Sequence, residues 1–552
     1  MDKKNLKIVL LLTVLFLNLL SFSQTTERER PKEWSQLVKG GRFMDRFLPM
    51  IGKVLSSDTW GADNVKPRFI DNGIEDGIWS YWCSSVKKSD DGKYHMFVCG
   101  WLESSPKGHG EWPNSLLFDA VGDKPEGPFT LKKMIGKGHN VEAFRVKDGR
   151  YVLYVIDGRY VSDNIDGPWE YGKFQFEPRD RKIIEGLSNL SFAEREDGSF
   201  VMVCRGGGIW ISKDGLSQYN QLTDKRVYPA VKGRFEDPVI WKDHIQYHMI
   251  VNDWLGRIAF YLRSPNGIDW VTDPGEAYMP GIAVHEDGKV EDWFKFERIK
   301  MYQDQYGRAV QANFAVIDVE KKLDKANDIH SSKSIAIPLN PGVLLTILDE
   351  KPITSKTSTI RLKIQAEPGF NPQTDIDISS LRFGASEEVN YGRGAKVLST
   401  ENSGNDLIVI FNGEGNGIGP KEFAPKLIGR YKNEKMLYGY ARLPYLTYIE
   451  PVLSARAPVF TSAAKDIRGT VEVENFGQVA SQKAAIKIEY KAGDKWYQLA
   501  YSPIPSLNAY EKTVVPFSGK MNLESDKEYE FILSIYEGKK LHSTFNLKQK
   551  IR

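Results

Sequence analysis

Between residues 61 and 338 apolar and polar positions alternate in short runs, as in Tyr151-Val-Leu-Tyr-Val-Ile156, and polar turns bound each run. Alternation of that period predicts half-buried strands and excludes helical repeats. A turn before an aromatic strand recurs along this stretch: Asp91-Gly92-Lys93-Tyr94, Asp148-Gly149-Arg150-Tyr151 and Asp197-Gly198-Ser199-Phe200, then the weaker Asp243-His244-Ile245-Gln246-Tyr247 and Gln305-Tyr306-Gly307-Arg308. Asp-Gly predicts a hairpin in which both central residues take positive φ. A second punctuation ends each unit: Glu126-Gly127-Pro128-Phe129, Asp166-Gly167-Pro168-Trp169, Asp214-Gly215 and Asn266-Gly267-Ile268-Asp269-Trp270. Its glycines are separated by 40, 48 and 52 residues. A period of about 40–50 residues with several strands per unit marks propeller blades, and five turns predict five of them. A β-sandwich with shared turn chemistry is the rival, but it has no reason to repeat its turns at this interval.

Beyond Pro338 the pattern changes. Residues 339–455 hold strand-like runs such as Ile360 to Ile364, Leu407 to Phe411 and Met436 to Tyr440, separated by polar Gly/Asn intervals. A proline-bearing linker, Pro451 to Pro458, follows. Residues 456–552 alternate as in Val471-Glu-Val-Glu, which fits an immunoglobulin-like sandwich of about 100 residues. The predicted fold class is therefore all-β: a five-bladed β-propeller followed by two β-sandwich accessory domains.

Composition supports a folded chain of several domains: 552 residues, 41% hydrophobic and 12% aromatic. The formal charge is +3; Lys3, Lys4 and Lys7 against Asp2 supply most of it, so the rest is nearly neutral. A neutral chain gives no support for nucleic acid or an acidic membrane surface as partner. Residues 1–23 read as a signal peptide: those lysines, the apolar Ile8 to Leu20, then Ser21-Phe22-Ser23. A retained anchor is the rival reading, against which the apolar run is short. The expectation is export to the periplasm or medium, with no membrane in the mature form and a mixed N-terminal segment at 24–60. Cys83, Cys99 and Cys204 are odd in number and sit in aromatic runs, so buried inert thiols are expected.

Propellers place their innermost strands around a channel, so the residues opening each unit's first strand are the candidates for chemistry. They are Glu75-Asp76, His139-Asn140-Val141-Glu142, Ser188-Asn189-Leu190-Ser191, Glu236-Asp237-Pro238 and Phe296-Glu297-Arg298. Converging carboxylates suit glycosidic hydrolysis, where one acid protonates the leaving oxygen and another activates water or attacks carbon. Trp79, Tyr81, Trp82, Trp101, Trp112, Trp254 and Trp293 lie near these motifs, and flat faces stack on sugar rings. Arg205, Arg234 and Arg298 could pair with a carboxylate or sulfate on the ligand, or with the acids themselves. Arg205-Gly206-Gly207-Gly208 lacks the Lys-Ser/Thr of a phosphate loop. His244 and His248, four apart on a strand, do not face a common metal. No cofactor or metal is expected; a structural calcium in the channel stays open.

The acid-opening strands, the Asp-Gly-x-aromatic turns and the Gly-Pro-Trp finishes resemble the five-bladed propeller glycosidases of glycoside hydrolase family 43, with families 32 and 117 among its relatives. The resemblance covers roughly residues 65–335 and implies three acids on the inner strands. It implies Asp76 as general base or nucleophile and Glu236, in Phe-Glu-Asp-Pro, as general acid. The third acid would fall near Asn189, which cannot ionise, so that role is vacant or moves to Glu142 or Asp237. Glu75, His139, Asn140, Asn189, Arg205, Arg234, His248, Trp254, Glu297 and Arg298 are the candidate substrate contacts. An exported chain of this type also looks like the marine enzymes that degrade sulfated or uronic-acid algal polymers such as ulvan. Two rivals stay open on the same residues. A polysaccharide lyase would use a His or Tyr base with an Arg or Asn neutralising a uronate. A propeller with missing acids would bind glycans without cleaving them.

Overall fold

The computed structural model describes residues 28–58, 67–253, 257–328, 332–462, 466–521 and 527–551. The signal-peptide reading of residues 1–23 and the candidate Trp254 lie outside them. Among the described residues no helix is long and apolar enough to cross a membrane.

The described chain is all-β. Five successive sheets have their first meander strands at Trp79–Lys88, Glu142–Arg145, Ser191–Glu194, Phe235–Lys242 and Lys295–Gln303, and each continues antiparallel through its next strands; the third is extended at its outer edge by Phe176–Glu177, parallel to Tyr219–Gln221. The first strand of sheet one packs beside those of sheets two and five, and those of three, four and five adjoin in turn. Ser191 Oγ donates to Glu142 Oε1 at 3.3 Å and joins sheet three to sheet two, which completes a closed circuit. Sheet five has three strands of its own and is supplemented by the segment ahead of sheet one. Ile74 bridges Ser334, and Asn72 exchanges side-chain hydrogen bonds with both backbone groups of Ala336.

The turn signals map onto the sheets one for one, with one correction. All five of the first set join the first and second strands of a sheet. In the Asp-Gly turns only the glycine takes positive φ (Gly92 87°, Gly149 94°, Gly198 89°). The aspartate instead stays at negative φ and accepts the N–H two residues on, as Asp91 Oδ1 does from Lys93 at 3.0 Å. These are Asx-stabilised loops with a left-handed glycine rather than two-residue turns. The second set lies between the third and fourth strands of sheets one to four.

Apolar side chains alternate toward the neighbouring sheet, so each core belongs to a pair of sheets. Trp82 and Phe97 meet Val141 and Leu153 between sheets one and two. Val152 and Tyr154 meet Phe192 and Phe200 between two and three, where Tyr154 stacks on Phe192 with ring centroids 3.9 Å apart. Ala193 and Val201 meet Ile240 and Met249 between three and four, and Trp241 and Ile250 meet Phe314 and Ile335 between four and five.

Two further β units follow. A seven-stranded sheet between Leu345–Ile347 and Met436–Tyr440 gathers Leu362, Val409, Phe383, Leu427 and Leu437 into one core. Two four-stranded sheets then enclose Val471, Ile486, Val515 and Leu533. Leu453–Ala455, read as linker in the sequence, pairs with Asp466–Asn475 and belongs to this last unit.

Candidate active site

Each first strand contains, or is preceded within two residues by, one non-glycine residue at positive φ: Cys83 (50°), Asn140 (59°), Asn189 (50°), Asp237 (51°) and Arg298 (53°). In sheets one, four and five this residue sits at a break in register, a bulge that turns the local side chain. The five line one narrow opening together with Leu190, Pro238, Ile299 and Lys300. They form a ring, one residue per sheet. Four of the five were candidates from the sequence; Cys83 was not.

The chemistry of the ring is concentrated at sheets three to five. Arg298 Nη1 is ion-paired with Asp237 Oδ1, while Asp237 Oδ2 accepts no hydrogen bond from any described residue although Asp237 is only 3% exposed. Burial raises the Asp237 carboxyl to about 7; Arg298 opposes this, and Glu236 and Glu297 add to it. Glu236, one residue earlier, accepts from Asn189 Nδ2 at 3.1 Å and faces Arg205 Nη1 at 3.7 Å. Its side chain keeps 18% exposure, so it can be reached from outside. Asn140 Nδ2 donates to Asn189 Oδ1 at 3.0 Å and fixes the amide that holds Glu236. Asn252 lies opposite Glu236 on the next strand, and its buried Nδ2 has no partner among the described residues; nor has the buried hydroxyl of Tyr278.

Around this group the candidates divide. Glu297 is wholly buried between Lys295 and Lys321, the latter at 2.5 Å; burial alone would raise it, but these cations and Arg298 hold it far below the carboxylate range. His139 is kept neutral by burial, with Arg298 and Lys321 adding to the effect, and its Nδ1 lies 3.0 Å from Ser115 Oγ. Glu142 stands two residues beyond the ring and is ion-paired with Lys300 Nζ at 2.5 Å. Both partners are buried, so Glu142 serves as a structural anion. Glu75 is held below its ordinary value by Lys333 and Arg68 against the effect of burial. Asp76 accepts from the N–H groups of Ile78 and Trp79 at 2.8 and 2.9 Å and from the Tyr81 hydroxyl, so its carboxylate caps the start of the first strand. Both stand seven or more residues before Cys83, and neither has a bond to the ring group. His248 stacks on Trp241 and contacts Tyr261 Oη at 2.6 Å, at the other end of its strand from Glu236. Arg234 precedes the strand, with its backbone N–H on Asp253.

Beside His139 opens a cavity of about 610 Å³ lined by Trp112, Pro113, Val155, Ile156, Tyr160 and Tyr171, with Lys137, Asp157 and Ser115 as polar groups. Trp112 and Tyr171 are exposed, and the Trp112 ring lies 5.1 Å from that of His139. Of this wall the sequence singled out only Trp112 and His139. A calcium ion does not suit the ring. Its one carboxylate, Asp237, is already paired with Arg298, and Lys300 adds a second cation where oxygen donors would be needed.

No family model matches the chain, and no curated protein matches it. Among solved structures it is similar to an α-L-arabinofuranosidase from Lactobacillus brevis, at 11% identity over 48% of this chain and 92% of that one, with a TM-score of 0.34. It is also similar to a thermostable family-43 glycoside hydrolase, at 11% identity over 48% and 91%, TM-score 0.31. A GH43 protein from Bacillus licheniformis aligns over 91% of this chain and 89% of its own, at 12% identity and TM-score 0.28. Likeness at scores of this size assigns no role to any residue of the ring.

Proposed function

We propose that the five sheets are the blades of a β-propeller, that the two later units are sandwich modules, and that the chain is an exported glycoside hydrolase. The observation that carries the activity is the ring group itself. Two adjacent acids, Glu236 and Asp237, are held by Asn189, Arg205 and Arg298, and Asp237 Oδ2, Asn252 Nδ2 and Tyr278 Oη beside them are buried without partners. Unpaired buried polar atoms are costly in a finished core and are concentrated where a polar ligand completes them.

In this reading Asp237, whose buried carboxyl keeps its proton to about 7, protonates the leaving glycosidic oxygen, the role the resemblance implied for Glu236. Glu236, the more accessible acid, is the partner carboxylate, held by Asn189 and Arg205. The aromatic cavity beside His139 takes a sugar ring on Trp112 and Tyr171. Arg205 and Lys137 favour a substrate carrying carboxylate or sulfate, which is the class of an algal uronic-acid or sulfated polysaccharide or its oligosaccharides. Export rests on Lys3, Lys4 and Lys7 ahead of the apolar Ile8 to Leu20.

β-Elimination is the second reading, favoured by one observation: His139 is a neutral imidazole close enough to Arg298 to feel its charge. A panel of anionic and neutral polysaccharides decides between them. New reducing ends without ultraviolet-absorbing products support hydrolysis; an unsaturated, absorbing sugar supports elimination. Binding without either product reduces the protein to a glycan-binding propeller.

A further inference from the structure

The second strand of sheet one (Tyr94–Leu102) and its third (Leu116–Gly122) bring together His95 and Asp119, and the turn ahead of the fourth strand of sheet two adds Asp166. One ligand atom from each lies within 4.8 Å of the other two. His95 Nδ1 is 2.9 Å from Asp119 Oδ1, and both side chains are buried. Asp119 is 0% exposed, yet its Oδ2 accepts no hydrogen bond from any described residue. A fully buried carboxylate with a free oxygen carries an uncompensated desolvation cost, which a cation at that oxygen removes. Asp166 is half-exposed and stands on the solvent side.

We propose that His95, Asp119 and Asp166 bind a divalent cation that ties sheet one to sheet two. One imidazole nitrogen with two carboxylate oxygens is a donor set for a first-row ion such as Zn²⁺ or Mn²⁺, with water completing the shell on the exposed side. Two lysines compete for the site. Lys132 Nζ pairs with Asp166 Oδ1 at 2.5 Å, and Lys133 Nζ reaches the Asp166 backbone carbonyl. Metal binding displaces Lys132, and since that pair is about half exposed the displacement is cheap. The site is built on the second and third strands of sheet one and a turn of sheet two, outside the ring that carries the proposed chemistry.

The test uses the chelator-stripped full chain, titrated calorimetrically with Zn²⁺, Mn²⁺, Mg²⁺ and Ca²⁺ in turn, with the melting temperature followed alongside. The expected result is one site for Zn²⁺ or Mn²⁺ and a melting temperature raised by saturation. Asp166→Asn should weaken binding at least ~10-fold while leaving the metal-free melting temperature unchanged, because the residue is half-exposed. Lys132→Ala should bind at least as tightly as the parent. Absence of binding by all four ions overturns the proposal, as does binding that Asp166→Asn leaves intact. Both readouts are independent of catalytic activity.

Discussion

At the scale of single residues the two acids of the ring have separable tests. Glu236→Gln keeps the acceptor for Asn189 but removes the carboxylate, so turnover should fall by at least ~100-fold, the size of a lost general base. Near-parental turnover would remove Glu236 from the mechanism. Asp237 titrates where a pH profile can follow it. Its carboxyl stays protonated to about 7 in the folded chain, whereas in the unfolded chain it ionises near the ordinary carboxylate value. Between those two limits the native state holds the extra proton, so this residue makes stability fall as pH rises and level off above about 7. Melting temperature should fall less steeply with pH in Asp237→Asn than in the parent; Asp324, raised by burial to about 8, keeps part of the slope in both. Asp76 has a different signature. Asp76→Ala deprives two backbone N–H groups and the Tyr81 hydroxyl of their acceptor, and should cost about 1 kcal/mol of stability per bond lost while leaving turnover near parental. A turnover loss matching that of Glu236→Gln would return Asp76 to the site.

At the scale of elements, what holds adjacent sheets in register is partly electrostatic. Glu142 of sheet two and Lys300 of sheet five meet across the interior with both side chains under a tenth exposed. Glu142→Gln leaves a buried ammonium without its anion and should cost about 3–5 kcal/mol, read by chemical denaturation. Glu142→Gln with Lys300→Met should recover most of it. The same elements show what could be read from the chain beforehand. Turn glycines and alternation were legible because Gly92, Gly149, Gly198 and Gly307 each occupy a left-handed position that other residues avoid. The ring register was not, because a bulge at a non-glycine residue has no compositional mark. A regularity was nevertheless present. Cys83, Asn140, Asn189 and Arg298 each stand nine residues before a turn glycine, and Asp237 stands nine before Gln246 in the turn that lacks one. Counting back from the turns finds Cys83 and passes over Asp76, which stands sixteen before Gly92. The aromatic wall of Tyr160 and Tyr171 was hidden for another reason: both read as ordinary strand residues, and only the packing of sheet two beside sheet one leaves them facing a cavity.

At the scale of the molecule, the last unit is fastened to sheet three by buried arginines. Arg179 reaches Glu474 Oε2 at 2.7 Å and the Ser454 carbonyl at 3.1 Å. Arg181 donates to Ser454 Oγ and the Ala455 carbonyl, and Arg195 to the Phe476 carbonyl at 2.9 Å. Burial lowers Arg179 and Arg181 from their ordinary values, and for Arg181 the neighbouring Arg179 adds to the effect, so the interface already works against its own cations. Ending the chain at Glu450 removes every one of these acceptors and returns three guanidinium groups to water. Regained hydration offsets part of the loss, so the truncated chain should fold but melt earlier, with the change concentrated in sheet three. Asn189 precedes that sheet's first strand and holds Glu236, so loosening of the sheet reaches the ring through one amide. Two measurements separate the effects. Turnover on a short oligosaccharide, taken well below the melting transition, should match the full chain if the ring keeps its geometry. Hydrogen exchange should rise in Phe200–Val203 and Ile209–Ser212 but not in the strands of sheet five. Unchanged exchange in sheet three would mean that the arginine contacts contribute nothing to holding it. Lost turnover at a temperature where the truncated chain is still folded would make the last unit a working part of the site.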